Sequence, residues 1–320
     1  MRILLAPMEG LLDSLLRDII TRIGGIDLCV SEFIRINNSL LPSRRFYQIV
    51  PELLNQSHTT SGVPVRVQIL GSDPECMAEN AAKIASLGAL GIDINFGCPA
   101  PTVNRNRGGA ALLKEPELMY KIVKSVRSAV PLSVSVTAKM RLGYDNTELA
   151  LCCAEALANG GAEEIVVHAR TKLDGYKPPA YWEWIAKIKE AVNIPIVANG
   201  EIWNRDDAKL CQTVSGCSDL MIGRGIISNP ALALMIKGDQ ELSFTWSYII
   251  SLLENFYRSM EDRKSIKSPS GRIKQWLQYL SRHYPEALES FEIVKKINNP
   301  SHLMDVLREY ANNKNSVNPS

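Results

Sequence analysis

The chain of 320 residues has 46% hydrophobic and 22% charged residues and a formal net charge of +2. A chain of this size can bury a large core and still add a smaller second unit. The net charge is too small to indicate a polyanionic partner, because it does not say where Lys and Arg lie.

The seven cysteines form no CxxC pair, and no His lies at ligand spacing from any of them. This pattern argues against a disulfide framework or a zinc site and is typical of a reducing cytoplasm. No apolar run approaches the roughly 20 residues of a membrane span, and no signal-peptide cleavage pattern is present. We therefore expect a cytoplasmic monomer without a metal ion and without membrane contact.

Short apolar runs of the kind that form buried strands recur eight times along the chain. They are Ile3–Pro7, Leu28–Phe33, Val65–Leu70, Ile92–Phe96, Leu132–Met140, Ile165–His168, Ile194–Ala198 and Leu220–Ile222. Stretches with helical periodicity lie between them, at Glu75–Leu87, Glu115–Val130, Glu148–Asn159, Trp182–Val192 and Arg205–Val214. Eight strand-helix units predict an α/β fold, a (β/α)8 TIM barrel, over residues 1–240.

The strand-helix rhythm stops after about Gly238. Trp246–Met260, Gly271–His283 and the stretch from Pro285 onward have helical patterns instead. We predict a small all-α helical domain over residues 241–311 and a frayed polar tail over residues 312–320.

Glycines and polar residues follow the last two predicted strands, in Asn199-Gly200-Glu201 and in Gly223-Arg224-Gly225. In TIM barrels this is where backbone N–H groups commonly hold a phosphate, and the side chain of Arg224 can add a charge-assisted contact. The alternative is a pair of tight turns that close the barrel. In the context of the other strand ends, we favour phosphate binding.

Lys139 and His168 end two neighbouring predicted strands. A lone Lys at such a place is more often the partner of a barrel carboxylate, and a lone His is more often structural. In a flavin enzyme, Lys139 would lie beside the N1 and O2 edge and stabilise the negative charge of reduced flavin. His168 could hydrogen-bond the flavin or its phosphate.

Cys98 lies in Asn95-Phe96-Gly97-Cys98-Pro99, between a flexible Gly and a rigid Pro. The other six cysteines fit the usual role of buried structural residues, whereas this motif holds a side chain at a loop tip. A thiol with a pKa of about 8.5 is mostly protonated at neutral pH. Cys98 is therefore a candidate general acid.

These motifs, in this order, resemble those of the tRNA-dihydrouridine synthases, and the resemblance spans the whole predicted barrel. The residues that carry it are Ala6-Pro7-Met8-Glu9-Gly10, Asn95 through Leu113, Lys139-Met140-Arg141-Leu142-Gly143, Val167-His168-Ala169-Arg170-Thr171, Ala198-Asn199-Gly200-Glu201-Ile202 and Ile222-Gly223-Arg224-Gly225. Subfamily C, whose bacterial members act on the uridine at tRNA position 16, is the most similar. The residues that match this subfamily are Arg35, Ile202-Trp203 and Arg272 through Leu277. Lys295 departs from the pattern, because subfamily members carry Arg at this position.

The resemblance implies an FMN cofactor, NADPH as reductant and tRNA as substrate. It assigns FMN binding to Pro7, Met8, Glu9, Gln68, Lys139, His168, Asn199, Gly200, Glu201, Gly223 and Arg224. It implies that FMN N5 delivers hydride to C6 of the uracil while Cys98 protonates C5. Substrate contacts fall to Asn95, Arg141 and Tyr176 at the uracil, and to Arg35, Arg272, Lys274 and Lys295 on the rest of the tRNA.

Basic residues crowd one stretch of the predicted helical domain, as a surface that recognises RNA phosphates would require. They are Arg258, Arg263, Lys264, Lys267, Arg272, Lys274 and Arg282, among which Glu261 and Asp262 are the only acids. A solvated helix face is the alternative.

Two rival functions remain open. An FMN barrel that reduces a free pyrimidine or a small enone would use the same hydride and acid chemistry. A non-catalytic RNA-binding barrel would keep the basic surface but would purify without colour.

Overall fold

The structure is a computed structural model that describes residues 1–238, 241–261 and 268–317. Parallel strands close into an eight-membered barrel because β1 pairs with both β2 and β9, and β2 also pairs with β4. The strands are β1 (Ile3–Leu5), β2 (Leu28–Val30), β3 (Ile34–Arg35), β4 (Val65–Leu70), β5 (Gly91–Phe96), β6 (Ser135–Arg141), β7 (Ile165–His168), β8 (Ile196–Asn199) and β9 (Leu220–Ile222). The predicted (β/α)8 fold is confirmed.

The second predicted strand, Leu28–Phe33, is interrupted. The chain leaves the sheet after Val30 and returns as the two-residue strand β3, which pairs with the end of β4. At the break, the backbone N–H of Gln68 donates to the hydroxyl of Ser31 at 3.0 Å, so a side chain replaces a backbone carbonyl in the ladder. The fifth predicted strand, which is β6 in the structure, begins at Ser135 rather than at Leu132, whose side chain is exposed.

Helices cover the outside of the barrel and include the five predicted from periodicity. They are α1 (Ser14–Ile23), α2 (Ser43–Ile49), α3 (Pro74–Ser86), α4 (Pro101–Arg105), α5 (Pro116–Ala129), α6 (Ala150–Asn159), α7 (Trp182–Ala191), α8 (Arg205–Ser215), α9 (Arg224–Ser228) and α10 (Leu232–Gly238), with 3-10 turns at Pro51–Asn55 and Gly109–Lys114. Side-chain caps fix several starts, as where Asp73 accepts from the N–H of Cys76 and Asn204 from that of Asp207. Such caps satisfy N–H groups that a helix leaves free at its start.

The interior of the barrel is layered. At the end where the strands begin, which we call the floor, Glu164 accepts from Arg2 and Arg66 at 2.5 Å each, and Asp219 also pairs with Arg2. Above the floor lies an apolar cluster that consists of Leu4, Ala6, Leu28, Val30, Val166, Val197 and Met221. The buried polar residues Gln68, Asp93, Asn95 and Thr137 line the opposite wall. The barrel interior is thus a packed core. We call the end where the strands finish the mouth.

The C-terminal helices are α11 (Trp246–Glu261), α12 (Pro269–Leu280), α13 (Pro285–Val294) and α14 (Pro300–Val317). Helix α12 packs on α9, and the indole N–H of Trp276 donates to the carbonyl of Ile227 at 3.1 Å in this buried contact. The helical bundle therefore rests against the segment that follows β9.

Helix α14 continues to Val317, past Asn312, where the sequence predicts the start of a tail. The basic residues Arg263, Lys264 and Lys267 and the acid Asp262 lie outside the described residues. Among the helices of the described residues, none has the length and apolar character needed to cross a membrane.

Candidate active site

Two adjoining clefts open at the mouth of the barrel, with about 560 and 1310 Å³ of space that includes open solvent. The two clefts share Pro7, Met8, Lys139, His168 and Arg224, so they form one continuous opening. The smaller cleft is lined by Pro7, Met8, Lys139, His168, Asn199, Gly200, Glu201, Gly223 and Arg224. The larger one adds Glu9, Gln68, Asn95, Cys98 and Arg141, and Tyr176 borders both. Most of the residues predicted for the site therefore meet in one place.

Two glycines of the smaller cleft are closely packed by neighbouring side chains. A Cβ atom at Gly200, whose φ is +123°, would lie 3.0 Å from a ring carbon of His168, and one at Gly223 would lie 3.1 Å from the sulfur of Met8. Glu201 has a φ of +57°, an unusual value for a residue with a side chain. Neighbouring side chains therefore approach these two turns so closely that a residue larger than Gly would have to displace them.

The carboxylate of Glu201 belongs to the wall of the smaller cleft. It pairs with the buried guanidinium of Arg170 and accepts from the indole N–H of Trp203 at 2.8 Å, and Arg224 lies 4.0 Å away. Partial burial raises the pKa of Glu201, but the hydrogen bonds from Arg170 and Trp203 outweigh this and hold it below its ordinary value. The carboxylate is thus a permanent anion that orients two arginines.

Lys139 and His168 are two basic side chains of the smaller cleft, and the carboxylate of Asp93 acts on the charge of Lys139. The ammonium of Lys139 donates to the amide oxygen of Asn199 at 3.0 Å, and no acid in the described part of the chain forms an ion pair with it. Burial, and then the charge of Arg141, lowers the pKa of Lys139 to about 8. Burial also lowers the pKa of His168 well below its usual value, and its Nε2 is buried without a hydrogen-bond partner. This ring nitrogen is therefore available for a hydrogen bond at the cleft.

A chain of buried hydrogen bonds fixes the loop that carries Cys98. The Oδ1 of Asn95 accepts from the backbone N–H groups of Gly97 and Cys98 at 2.9 Å each, and its Nδ2 donates to Gln68 at 2.8 Å. Gln68 in turn donates to Asp93 at 2.7 Å. The loop tip is therefore tied to the wall of the barrel through three side chains.

Cys98 itself is half-buried at the larger cleft. Burial raises the pKa of its thiol, while the backbone N–H of Ala100 and the charge of Arg141 act in the opposite direction. The thiol is protonated at neutral pH and has a hydrogen-bond donor and a cation nearby. These neighbours would stabilise the thiolate that a proton transfer leaves behind.

Arg141 has a structural task as well as a place at the cleft. Its guanidinium donates to the carbonyls of Gly97, Thr171 and Gly175 at 2.8–2.9 Å, and it lies 5.1 Å from the ring centre of Tyr176. It therefore holds together the loops after β5 and β7.

The charged residues predicted to contact the rest of the tRNA lie outside these two clefts. Arg272 bonds the carbonyls of Gly10 and Leu11 at 2.7 and 2.8 Å and pairs with Asp13, so it fastens α12 to the loop after β1. Lys274 and Lys295 lie together, because the Lys274 ammonium donates to the Lys295 carbonyl at 2.9 Å. Arg35 borders a third groove near Arg105 and Arg107.

Trp203 and Tyr279 are among the cleft residues to which the sequence analysis assigns no role. Trp203 lines the smaller cleft, and Tyr279 of α12 reaches the larger one. Trp203 follows the Asn199 motif, so its position was a usable signal. Tyr279 carries no such signal, because it reaches the mouth only through the packing of the helical bundle.

Comparison with known proteins places the chain in a family. The Dihydrouridine synthase (Dus) family matches residues 4–315. Proteins named tRNA-dihydrouridine(16) synthase are 53% identical in Aquipseudomonas alcaligenes and 54% in Pseudomonas syringae pv. tomato, each over 92% of this chain and 95% of the relative. A protein of the same name from Shewanella oneidensis is 48% identical over 98% of this chain and 100% of its own.

Among solved structures, morphinone reductase is similar in fold, with a TM-score of 0.53 at 10% identity, and the match covers 76% of this chain and 87% of that protein. The likeness supports the barrel architecture alone. The match over residues 4–315 and the relatives at about half identity carry the assignment: this chain is an enzyme of the dihydrouridine synthase family.

Proposed function

We propose that this protein reduces the uridine at position 16 of tRNA to 5,6-dihydrouridine, with FMN as its flavin and NADPH as the reductant. The observation that carries the proposal is the junction of the two clefts. A cationic pocket with an orphaned histidine opens there into a cleft that holds a protonated thiol. Relatives at about half identity that are named for position 16 support the choice of uridine.

The residues of the smaller cleft fit an anionic flavin. The unpartnered Nε2 of His168, the ammonium of Lys139 and the guanidinium of Arg224 match a ligand with hydrogen-bonding edges and a phosphate. Lys139, His168, Asn199, Gly223 and Arg224 would hold FMN, which when bound supplies a hydride for C6 of the uracil. Gln68, predicted at the cofactor, already uses its side-chain oxygen and one N–H within the protein.

Cys98 supplies the proton. Because C6 of a uracil is the electrophilic end of a conjugated enone, addition there leaves negative charge that C5 and O4 share. Cys98 holds a proton on Sγ at neutral pH and gives it to C5, and the Ala100 N–H and Arg141 stabilise the resulting thiolate. The loop bonds from Asn95 keep this donor in one place.

The target nucleotide has to leave the folded tRNA to reach the cleft, which costs a few kcal/mol. Contacts between the rest of the tRNA and the protein would offset that cost. We assign these contacts to Arg35 at the third groove and to Lys274 and Lys295 on the helical bundle. Arg272 would hold the bundle in position.

The test is to map dihydrouridine in tRNA from a strain that lacks the gene and to repeat the reaction with purified protein. We expect loss at position 16 alone, restored by a plasmid copy. In vitro, a transcript with uridine at position 16 should be reduced, and a matched transcript with cytidine there should not. Reduction of free uridine would favour the small-substrate reductase, and a colourless protein would favour the RNA-binding barrel.

A further inference from the structure

Five side chains form a stack across the mouth of the barrel, in the order Arg282, Trp203, Arg224, Tyr176 and Arg141. The guanidinium of Arg282 lies 3.5 Å from the ring centre of Trp203, and that of Arg224 lies 5.0 Å from the same ring. Arg224 is also 4.9 Å from the ring centre of Tyr176, which Arg141 approaches to 5.1 Å. Cations and aromatic rings therefore alternate along the stack.

The stack joins the helical bundle to the ends of four neighbouring barrel strands. Arg282 follows α12 of the helical bundle, Trp203 follows β8, and Arg224 begins α9 after β9. Tyr176 lies in the loop after β7 and Arg141 ends β6. Arg282 of the bundle thus contacts Trp203, which lines the smaller cleft, but does not line that cleft itself.

Arg224 occupies the middle of the stack, with an aromatic ring on either side. A planar guanidinium stacks well on aromatic faces, and such contacts restrict its rotation. The nearby carboxylate of Glu201, at 4.0 Å, is itself held by Trp203 and Arg170. Trp203 therefore acts on Arg224 twice, through its ring and through the carboxylate that its N–H orients.

We propose that Trp203 and Arg282 are positioning residues for the cofactor phosphate. They hold the Arg224 guanidinium in the orientation that receives a phosphate, so the helical bundle contributes to cofactor binding. The inference rests on the proposed function, because it takes the smaller cleft as the phosphate site. The ligand that it concerns is the phosphate monoester of a flavin.

The comparison of FMN with riboflavin tests the proposal, because the two ligands differ only in the phosphate. Dissociation constants of both are measured by fluorescence on apoprotein of the parent and of the variants Trp203→Leu, Trp203→Phe and Arg282→Gln. Arg258→Gln is the matched control, since Arg258 is exposed on α11 and lies outside the stack. Circular dichroism and thermal unfolding establish that each variant is folded.

We expect Trp203→Leu to weaken FMN binding by about tenfold and Arg282→Gln by about threefold, as the loss of one or two cation–π contacts predicts. Riboflavin affinity should stay within about twofold of the parent, because it has no phosphate. Trp203→Phe keeps a ring and should lose less than Trp203→Leu. Arg258→Gln should bind both ligands as the parent does.

Equal losses of FMN and riboflavin affinity in Trp203→Leu and Arg282→Gln would overturn the proposal, because they would show a general packing role. Unchanged FMN affinity in all variants would also overturn it. If the parent itself does not distinguish FMN from riboflavin, the phosphate assignment of the smaller cleft fails, and this inference fails with it. The parent protein distinguishes these cases. If it prefers FMN over riboflavin and the variants keep that preference, only the role of Trp203 and Arg282 fails.

Discussion

The floor and the mouth of the barrel differ in how their basic side chains are paired. At the floor, Arg2 and Arg66 each meet the carboxylate of Glu164 at 2.5 Å. At the mouth, Lys139 has one neutral amide oxygen as acceptor, and the Nε2 of His168 has none. A floor whose cations are paired holds the strands together, whereas the incomplete pairing at the mouth leaves positive charge for an anion.

The largest expected effect belongs to the mouth. Cys98→Ala should lower the rate of tRNA reduction by about 10²- to 10⁴-fold, the usual contribution of a general acid. FMN content and the rate of flavin reduction by NADPH should stay at the parent value, because neither step uses the thiol. Single-turnover reduction of tRNA measures the effect, and a near-normal rate would remove Cys98 from the mechanism.

Breaking the floor should reduce stability and spare cofactor binding. Glu164→Gln removes the shared carboxylate of two arginines, of which Arg66 is mostly buried. The free energy of unfolding should fall by about 3 kcal/mol, as for other broken buried pairs. Glu117→Gln, which removes an exposed pair with Lys121, should change it by less than about 0.5 kcal/mol. Urea unfolding measures the loss in both variants, and equal losses of unfolding free energy would contradict the comparison.

The charge of Lys139 should make cofactor affinity depend on pH. Its pKa of about 8 means that the ammonium is charged below this pH and neutral above it. A bound anion raises that pKa, so affinity should be highest below pH 8 and fall above it, by at most about tenfold per pH unit. Lys139→Gln should bind FMN about tenfold more weakly at neutral pH and with a flat profile. Titrations from about pH 6.5 to about pH 9.5 would refute this if parent and variant fall in parallel.

The smallest expected effect concerns charged residues of the helical bundle, which lie outside the two clefts. The donors of Arg272 are used within the protein, as those at the floor are. Lys274 and Lys295 lie together, and Lys295 forms an exposed ion pair with Glu292, a kind of pair that contributes little to stability. Lys274→Ala and Lys295→Ala should each reduce the log–log salt slope of tRNA binding by about 0.7 to 0.9 per lost phosphate contact. Arg272→Ala should lower the unfolding temperature instead. Unchanged salt slopes in both lysine variants would make that surface a solvated helix face.

The sequence predicts the barrel and most of the mouth for one physical reason. Parallel strands that each end in a polar residue bring those ends together, so Lys139, His168 and Asn199 could be placed before any contact was known. Contacts between distant segments leave no such local pattern. The pairing of Arg272 with the loop at Gly10 and the stacking of Arg282 on Trp203 both depend on how the helical bundle docks.

Local sequence patterns also do not show where a side chain takes the place of a backbone group in a strand. Ser31 lies inside an apolar run that predicts one strand, and only its bond from the N–H of Gln68 reveals the break. Arg141 was predicted at the substrate, yet its guanidinium also holds three backbone carbonyls. A side chain with several donors can serve the fold and the ligand together, and spacing along the sequence does not separate these tasks.

The orientation of Asn95 has a consequence for which bases can enter the larger cleft. Backbone N–H groups cannot reverse, so the two that meet Oδ1 fix the amide and occupy both of its lone pairs. Only the second hydrogen of Nδ2 remains for a ligand. A base that presents a carbonyl to this point gains a hydrogen bond, whereas one that presents an amino group meets another donor and loses its hydration without replacement. The side chain of Asn95 can thus donate a hydrogen bond into the larger cleft but cannot accept one there.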